Sequence, residues 1–437
     1  YLVVRESMPL PSVCGLVCFH PCESRCRRGS LDEPIAIRAL KGAAVKYGAR
    51  AEARTGKPAP RTGKKVAVVG SGPAGLTAAY YLSKVCGHQV TVFEQFEKLG
   101  GMLRYGIPRY RLGAEDLDRD IAIVRRAGVK FKTRTRVESS SKLLKQGFDA
   151  VFLSLGAHQG LSLRMPGEKS PGVTDCVQFL REVSRGKRPR LGQEVVVIGG
   201  GNSAIDAART TRRLGARVTI LYRRTRAEMP ADPHEIGDAL EEGVVLEQLV
   251  LPVAARRRRG RLEITCQRME LGPMDDSGRR RPVPIAGSDF TVTADTLLAA
   301  IGQQPEIPKR LGVEVGRANR IAVNDEMVTS HPGVFAAGDA VSGPASVVEA
   351  IGAARRAARA IDIYLGGSGD IDEVFTGPED LDNLPAIASS GKASRRVPVP
   401  VRPVKSLSGD FLPVEKGYTK QAAVQEARRC LRCDLED

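Results

Sequence analysis

The apolar positions of this chain fall into short, nearly unbroken runs of five or so residues, separated by small-residue turns and amphipathic stretches. Lys65-Val-Ala-Val-Val69 and Gln89-Val-Thr-Val-Phe93 are too short for helices and too uniformly apolar for half-exposed strands. They read as buried parallel strands. Leu76 to Leu82 lies between them with a helical pattern, which makes one βαβ unit. The order recurs with strand Glu194 to Ile198, helix Ala204 to Leu214 and strand Arg217 to Leu221. A third block, Leu297-Leu-Ala-Ala-Ile-Gly302 and Gly333-Val-Phe-Ala-Ala-Gly-Asp339, returns to strand-and-turn patterning, and Val347 to Tyr364 reads as a long helix. The expected class is α/β: two doubly wound dinucleotide-binding domains, the second inserted in the first, preceded by a small helical cysteine-rich module.

Two glycine turns give these units their chemistry. Gly70-Ser-Gly72-Pro-Ala-Gly75 follows the first strand and opens the first helix. Gly70 permits the tight turn, Gly72 lets backbone approach a pyrophosphate, and Gly75 lets helix and strand close up. The helix N-terminus then offers N–H groups and a positive dipole end to phosphates. Glu94 ends the second strand, where an acid binds ribose hydroxyls. Gly333-Val-Phe-Ala-Ala-Gly338-Asp339 resembles the second FAD-contact motif of two-dinucleotide flavoproteins, which implies that Asp339 bonds the ribityl–phosphate region, and a helix starting near Ser346 can aim N–H groups at the flavin ring. The second turn, Gly199-Gly-Gly201-Asn202-Ser203-Ala204, differs where its second strand ends: Tyr222-Arg223-Arg224 stands in place of an acid. An acid repels a 2′-phosphate and guanidinium forks bind one, so these arginines favour NADP over NAD, unless they are only surface charges.

A chain of 437 residues exceeds one hydrophobic core. Apolar content of 42% and charged content of 27% are ordinary for a globular protein. No apolar run approaches the roughly 20 residues that span a bilayer. No signal-peptide pattern is present, although a start at Tyr1 gives that little weight. Net charge is +17. The basic clusters Arg256 to Arg259 and Arg279 to Arg281 lie in Gly- and Pro-bearing stretches that read as solvated hairpin connections. With aromatics at 5% and no tryptophan, base-stacking platforms are not expected, and an acidic protein suits the charge better than nucleic acid.

Nine cysteines, clustered at the two ends, are no disulfide framework and fit a reducing cytoplasm. Cys14, Cys18, Cys22 and Cys26 form a run with three-residue gaps. Iron–sulfur clusters take cysteine thiolates, commonly four. Structural zinc more often uses paired ligands with a longer gap between pairs, and stands as the alternative. Cys430 and Cys433, carried by an expected terminal helix from Lys420 to Arg432, are a two-ligand fragment: part of a second cluster, ligands shared with another chain, or structural thiols. Cys86, Cys176 and Cys266 are isolated and read as packing residues. Neither dinucleotide unit holds a Cys-x-x-Cys, no Ser-His-Asp pattern stands out, and His234 beside Glu235 reads as a helix-surface residue.

Pro-Ser-Val-Cys14-Gly-Leu-Val-Cys18 with Cys22 and Cys26, then Asp32-Glu-Pro-Ile-Ala-Ile37, resembles the cluster domain of the glutamate synthase small (β) subunit family. The module that opens dihydropyrimidine dehydrogenase and the large subunit of NADPH-dependent ferredoxin:NAD oxidoreductases is similar. Gly100-Gly101-Met-Leu-Arg-Tyr-Gly-Ile-Pro108 and Tyr222-Arg-Arg-Thr-Arg-Ala-Glu-Met-Pro230 resemble further signatures of that group, over about residues 9–365. The ending Glu426-Ala-Arg-Arg-Cys430-Leu-Arg-Cys433 is similar to the segment that opens the cluster domain in the glutamate synthase subunit, displaced here to the other end of the chain. The resemblance implies that in some relatives the residue matching Cys14 is not a ligand, and that the run is shared between two clusters.

These readings imply an iron–sulfur module at 1–60, an FAD domain at 61–160 and 300–366, an NADPH domain at 161–299, and an extension with the cysteine pair at 367–437. The expected cofactors are FAD, NADP(H) and one or two 4Fe–4S clusters. The expected role is an electron-transfer subunit between NADP(H) and a partner redox protein or catalytic subunit of a larger complex, in either direction, with no side chain needed as acid or base for hydride transfer. The contrasting expectations are a stand-alone NADPH-dependent flavin reductase with structural cysteines, and a scaffold with inactive nucleotide folds.

Overall fold

The computed structural model describes residues 1–377 and 393–433. Positions 378–392 and 434–437 of the expected C-terminal extension lie outside the described residues.

The apolar runs pair as their composition requires. Five parallel strands form one sheet in the order Val334–Ala336, Ala150–Leu153, Lys65–Val69, Gln89–Phe93, Lys130–Lys132. The central strand hides Val66 to Val69, because helices cover both faces. Helix Pro73–Lys84 packs against the long helix Val347–Tyr364 on one face, and together with helix Ala114–Arg126 they enclose the largest apolar cluster. Pro73 occupies the first helical turn, where its missing N–H costs nothing.

A second five-stranded parallel sheet runs Val173–Asp175, Thr296–Ala299, Glu194–Ile198, Arg217–Tyr222, Val245–Gln248. The chain enters and leaves this unit through a two-stranded ribbon in which Gln159 and Gly160 pair with Gln304 and Gln303.

Four antiparallel strands form a third sheet: Val250–Arg258, Arg261–Met274, Arg280–Pro284 and Phe290–Ala294. Its long strand alternates, with Leu262, Ile264 and Cys266 buried against Val196, Ile198 and Leu221 of the second parallel sheet. The basic cluster at Arg256 to Arg259 is a hairpin tip: Arg258 pairs with Arg261, and Arg259 and Gly260 both adopt positive φ.

The cysteine-rich module is helical. Helix Pro11–Val17 lies on helix Ile37–Gly48 with Gly15 against Gly42, so close that a Cβ on Gly15 would come within 2.8 Å of the Gly42 Cα. Asp120, on helix Ala114–Arg126, accepts from the backbone N–H groups of Ser12 (3.1 Å) and Val13 (2.9 Å), tying the module to the first sheet. The C-terminal segment returns to this module. Its helix is Lys420–Ala427 and stops short of the expected Arg432. Arg429 instead turns back, pairing with Asp32 (3.0 Å) and Glu426 (2.7 Å) and donating to the Glu33 carbonyl (2.7 Å). Glu426 accepts from the Ala36 and Val397 N–H groups.

Candidate functional site

A cleft of about 910 Å³ runs along the carboxyl ends of both parallel sheets, and both glycine turns line it. At the first turn, a Cβ on Gly75 would lie 2.0 Å from the Gly70 carbonyl, which is the close helix–strand contact the spacing predicts. A Cβ on Gly72 would meet no protein atom within 4 Å. The same holds at Gly201 in the second turn. Each therefore leaves room where a phosphate can approach backbone N–H groups at the head of a twelve-residue helix, Pro73–Lys84 or Asn202–Arg213. Gly70 and Gly199 make their turns at φ values of +105° and +139°.

Glu94 is buried at the end of its strand. One carboxylate oxygen accepts from the Ser71 N–H (3.1 Å) and hydroxyl (2.5 Å), and the other from the Phe96 N–H (2.8 Å). Oε1, bonded only to Phe96, keeps a further lone pair, and the carboxylate stands at the wall of the cleft. Gly101 crosses over the first turn, its Cβ position 2.8 Å from the Gly72 Cα. Gly338 and Asp339 complete this end of the cleft. Burial pushes the Asp339 carboxyl up to about 6, while the Ala345 N–H pulls it down. Ser346 caps the long helix by a reciprocal box with Glu349, at 3.2 and 2.8 Å. Val347, the first residue of that helix, lines the same cleft.

At the second turn the polar side chains are organised by the protein itself. Asn202 Oδ1 accepts from the Asp232 N–H (3.1 Å), and Ser203 Oγ accepts from Gln303 Nε2 (3.0 Å). The two arginines differ. Arg224 is buried, ion-paired with Asp275, and donates to the Arg280 carbonyl (2.7 Å). Arg223 is exposed at the mouth of the cleft, and Arg279 joins it there. Burial and then the neighbouring charges of Arg224 and Arg279 lower the Arg223 guanidinium from its ordinary range. Arg279 was expected in a solvated connection; the antiparallel sheet delivers it to the nucleotide cleft instead. Asp275 accepts from the Ser277 hydroxyl (2.5 Å), from the Ser277 and Arg279 N–H groups and from Arg224, and these bonds, the hydroxyl's foremost, hold its carboxyl well below the ordinary range. One acid thus fixes both Arg224 and the loop that carries Arg279.

Arg111, another residue the sequence did not mark, lines the cleft and pairs with Asp206 (2.9 Å) and Glu235 (2.8 Å). It ties the first sheet's loop to the second unit. Glu235 is thereby a half-buried member of an ion-pair network, while His234 beside it is exposed on helix Pro233–Glu241.

The cysteine run meets the cleft from the side. Val17 and Phe19 line it, so the peptide on either side of Cys18 reaches the first dinucleotide site. The run winds through three short elements: Cys14 inside helix Pro11–Val17, Cys18 at its end, Cys22 in helix Pro21–Ser24, and Cys26 just before the turn Arg27–Ser30. His20, at φ +42°, turns the chain so that its N–H points to Cys18 Sγ (3.3 Å). Burial pushes the Cys14 thiol up to about 12, with Cys18 adding to the effect. All nine cysteines are free of disulfides. Arg28, two residues after Cys26, donates to the carbonyl of Arg429 (3.1 Å), directly before Cys430. Residues 401 positions apart are thus neighbours, and the Cys430/Cys433 pair returns to the module that holds the run.

No helix among the described residues is long and apolar enough to cross a membrane. The family model described as pyridine nucleotide-disulphide oxidoreductase matches residues 64–354. The NADPH-Fe(3+) oxidoreductase subunit beta of Geobacter sulfurreducens is 41% identical over 99% of the chain and 70% of its own length. The glutamate synthase [NADPH] small chain of Escherichia coli is 34% identical over 83% of the chain and 82% of its own length. Among solved structures, Mycobacterium tuberculosis FprA in complex with NADPH shares the fold, with a TM-score of 0.60 at 20% identity, covering 70% of this chain and 85% of that one. The disulphide of the family's title has no counterpart here, since the cysteines within the matched region, Cys86, Cys176 and Cys266, are all free. The two five-stranded parallel sheets and the match over 64–354 lead to one conclusion: the chain belongs to the pyridine nucleotide-disulphide oxidoreductase family.

Proposed function

We propose that this chain is an electron-transfer subunit linking NADP(H), through FAD and 4Fe–4S clusters, to a partner redox protein or catalytic subunit of a larger cytoplasmic complex. The observation that carries the reading is the single cleft lined by both glycine turns and flanked by Val17 and Phe19 on either side of Cys18. When bound, FAD supplies exchange between hydride and single electrons, and the clusters supply a one-electron relay.

The chain's own residues bind and orient. The first helix N-terminus at Gly72, Glu94, Gly101, Gly338 and Asp339 would hold FAD. The second helix N-terminus at Gly201, with Asn202 and Ser203 fixed by Asp232 and Gln303, would hold the nicotinamide dinucleotide. Arg223 and Arg279 would take the 2′-phosphate, with Arg224 positioned behind them by Asp275. A cluster would be held from Cys14, Cys18, Cys22 and Cys26, and the docked Cys430 and Cys433 extend the ligand set toward a second. Thiolate ligation suits iron–sulfur chemistry, and the N–H of His20 already serves one sulfur.

The relatives' printed names support this reading, since one is a subunit beta and another a small chain, and both carry NADPH in their names. The test is anaerobic titration of the purified protein with NADPH. The expected result is bleaching of the flavin band together with loss of the broad iron–sulfur absorption. Flavin bleaching alone favours a stand-alone flavin reductase, and a colourless protein refutes the reading.

A further inference from the structure

At the amino ends of the first sheet's strands, opposite the cleft, three side chains of different chemistry meet. One ligand atom each from Cys86, His88 and Asp362 lies within 4.8 Å of the other two. Cys86 and His88 belong to the turn that leads into strand Gln89–Phe93, and Asp362 lies near the end of the long helix Val347–Tyr364. We propose that Cys86, His88 and Asp362 bind a divalent transition metal, zinc(II) foremost, which clasps this turn to that helix.

The donor set selects the metal class. A thiolate, an imidazole and a carboxylate suit borderline-soft zinc, and they are poor company for calcium or magnesium, which want oxygen ligands. One thiolate and one carboxylate also balance the charge of a divalent ion.

The surroundings orient each donor. His88 Nδ1 lies 2.7 Å from Thr62 Oγ1 and Nε2 lies 2.9 Å from Asp362 Oδ1. With Nδ1–H donating to Thr62, the Nε2 lone pair is free for a metal, the usual support for a ligating histidine. Asp362 Oδ2 accepts from the Gly369 N–H (2.8 Å), which leaves Oδ1 to coordinate. Thr62 is itself fixed by donating its N–H to the Gly87 carbonyl (3.1 Å). Gly87 adopts φ +73°, and a Cβ there would strike the Pro60 carbonyl at 2.0 Å, so the turn between the two donors is held firmly.

Little has to move. Ligands about 2.0–2.1 Å from a tetrahedral zinc sit roughly 3.3–3.4 Å apart. The 2.9 Å His88–Asp362 contact therefore opens by a few tenths of an ångström. His88 and Asp362 are buried while Cys86 is half-exposed, which gives an entry path and a place for a water as fourth ligand. Without metal, burial and Asp362 keep the Cys86 thiol protonated. Binding therefore releases that proton to solvent.

The experiment uses the anaerobically purified holoprotein, with zinc(II) sulfate as probe. Wild type, Cys86→Ser and His88→Asn are incubated with zinc, desalted, and analysed for zinc, iron and flavin. The expected result is one zinc per chain in wild type and none in either variant, at equal iron and flavin. Zinc K-edge absorption of the wild type should show one sulfur among nitrogen and oxygen scatterers. Cys86→Ser alters a half-exposed atom and decides the matter if His88→Asn does not fold. Equal zinc in wild type and Cys86→Ser, zinc gained only as iron is lost, or no retained zinc at all would each overturn the site, leaving His88 and Asp362 as a hydrogen-bonded tie. None of these outcomes depends on the electron-transfer reading above.

Discussion

Replacing Arg279 by alanine tests how this protein chooses its nicotinamide cofactor. Arg223, Arg224 and Arg279 crowd one corner of the cleft, and Asp275 is paired with Arg224. The buried Arg224 also spends a donor on the Arg280 carbonyl, so Arg223 and Arg279 are the cations left to meet a phosphate. A charge-assisted hydrogen bond to an anion is worth about 1.5–3 kcal/mol, and each 1.4 kcal/mol is tenfold in affinity. Arg279 is half-exposed, so solvent and salt screening push the expectation to the lower half of that range. Arg279→Ala and Arg223→Ala should each raise KM for NADPH by about 10- to 50-fold and leave KM for NADH within about twofold, with kcat little changed. The NADPH preference of wild type should also shrink as ionic strength rises. Arg224→Ala should behave differently: it strands Asp275 and loosens the loop carrying Arg279, so it lowers Tm as well as NADPH affinity. The assay is steady-state reduction of ferricyanide with both nucleotides across salt. If Arg279→Ala weakens NADH and NADPH equally, or changes neither, Arg279 does not read the 2′-phosphate. If wild type itself does not prefer NADPH, the assignment of the second glycine turn fails.

Gly72→Ala adds a methyl to open cleft and should leave apoprotein Tm nearly unchanged while abolishing copurified FAD; Gly75→Ala meets the Gly70 carbonyl at 2.0 Å and should cost about 1–3 kcal/mol of stability by overpacking, read by thermal melts. Asp120→Ala leaves the Ser12 and Val13 N–H groups unpaired in a buried site and should cost about 1–3 kcal/mol, with faster alkylation of Cys14 in protein stripped of its clusters. Burial raises the Asp120 carboxyl to about 7, above its unfolded value near 4, so its contribution is full below pH 4 and is lost as pH rises through 7; Asp120→Asn should flatten that part of the stability profile, and an unchanged profile refutes the assignment. Arg429→Ala removes the cation between Glu426 and Asp32 and should release the C-terminal helix, seen as earlier proteolysis near residue 420 and lower iron per FAD; equal iron means that Cys430 and Cys433 hold none.

Much of the site was legible because its chemistry is local. A glycine turn, the strand before it and the helix after it lie within a dozen residues, so spacing alone located Gly70 to Gly75 and Gly199 to Ser203. Glu94 follows from where its strand ends, and Asp339 from the resemblance of its motif to a FAD-contact motif. Helix Val347–Tyr364 was legible as a long helix starting near Ser346, and the structure adds the box of Ser346 with Glu349 that fixes its start. The terminal helix was overextended because the pattern continues through Arg432, whereas Arg429 finds better partners in Asp32 and Glu33 than in another helical turn.

What the sequence determined by itself is what depends on neighbours in the chain: alternation or continuity of apolar residues, turns that only glycine allows, and the even three-residue gaps of four cysteines. What only the tertiary structure decided depends on partners far apart in sequence. It sorted two adjacent arginines by giving Arg224 to Asp275, carried Arg279 from a hairpin to the same cleft, and returned Cys430 to the module of Cys26 through Arg28. It also brought Cys86 and His88 to Asp362, 274 residues from His88. Charged and metal-seeking groups act through space over a few ångströms, and no pattern along one dimension records which distant group will fill that space.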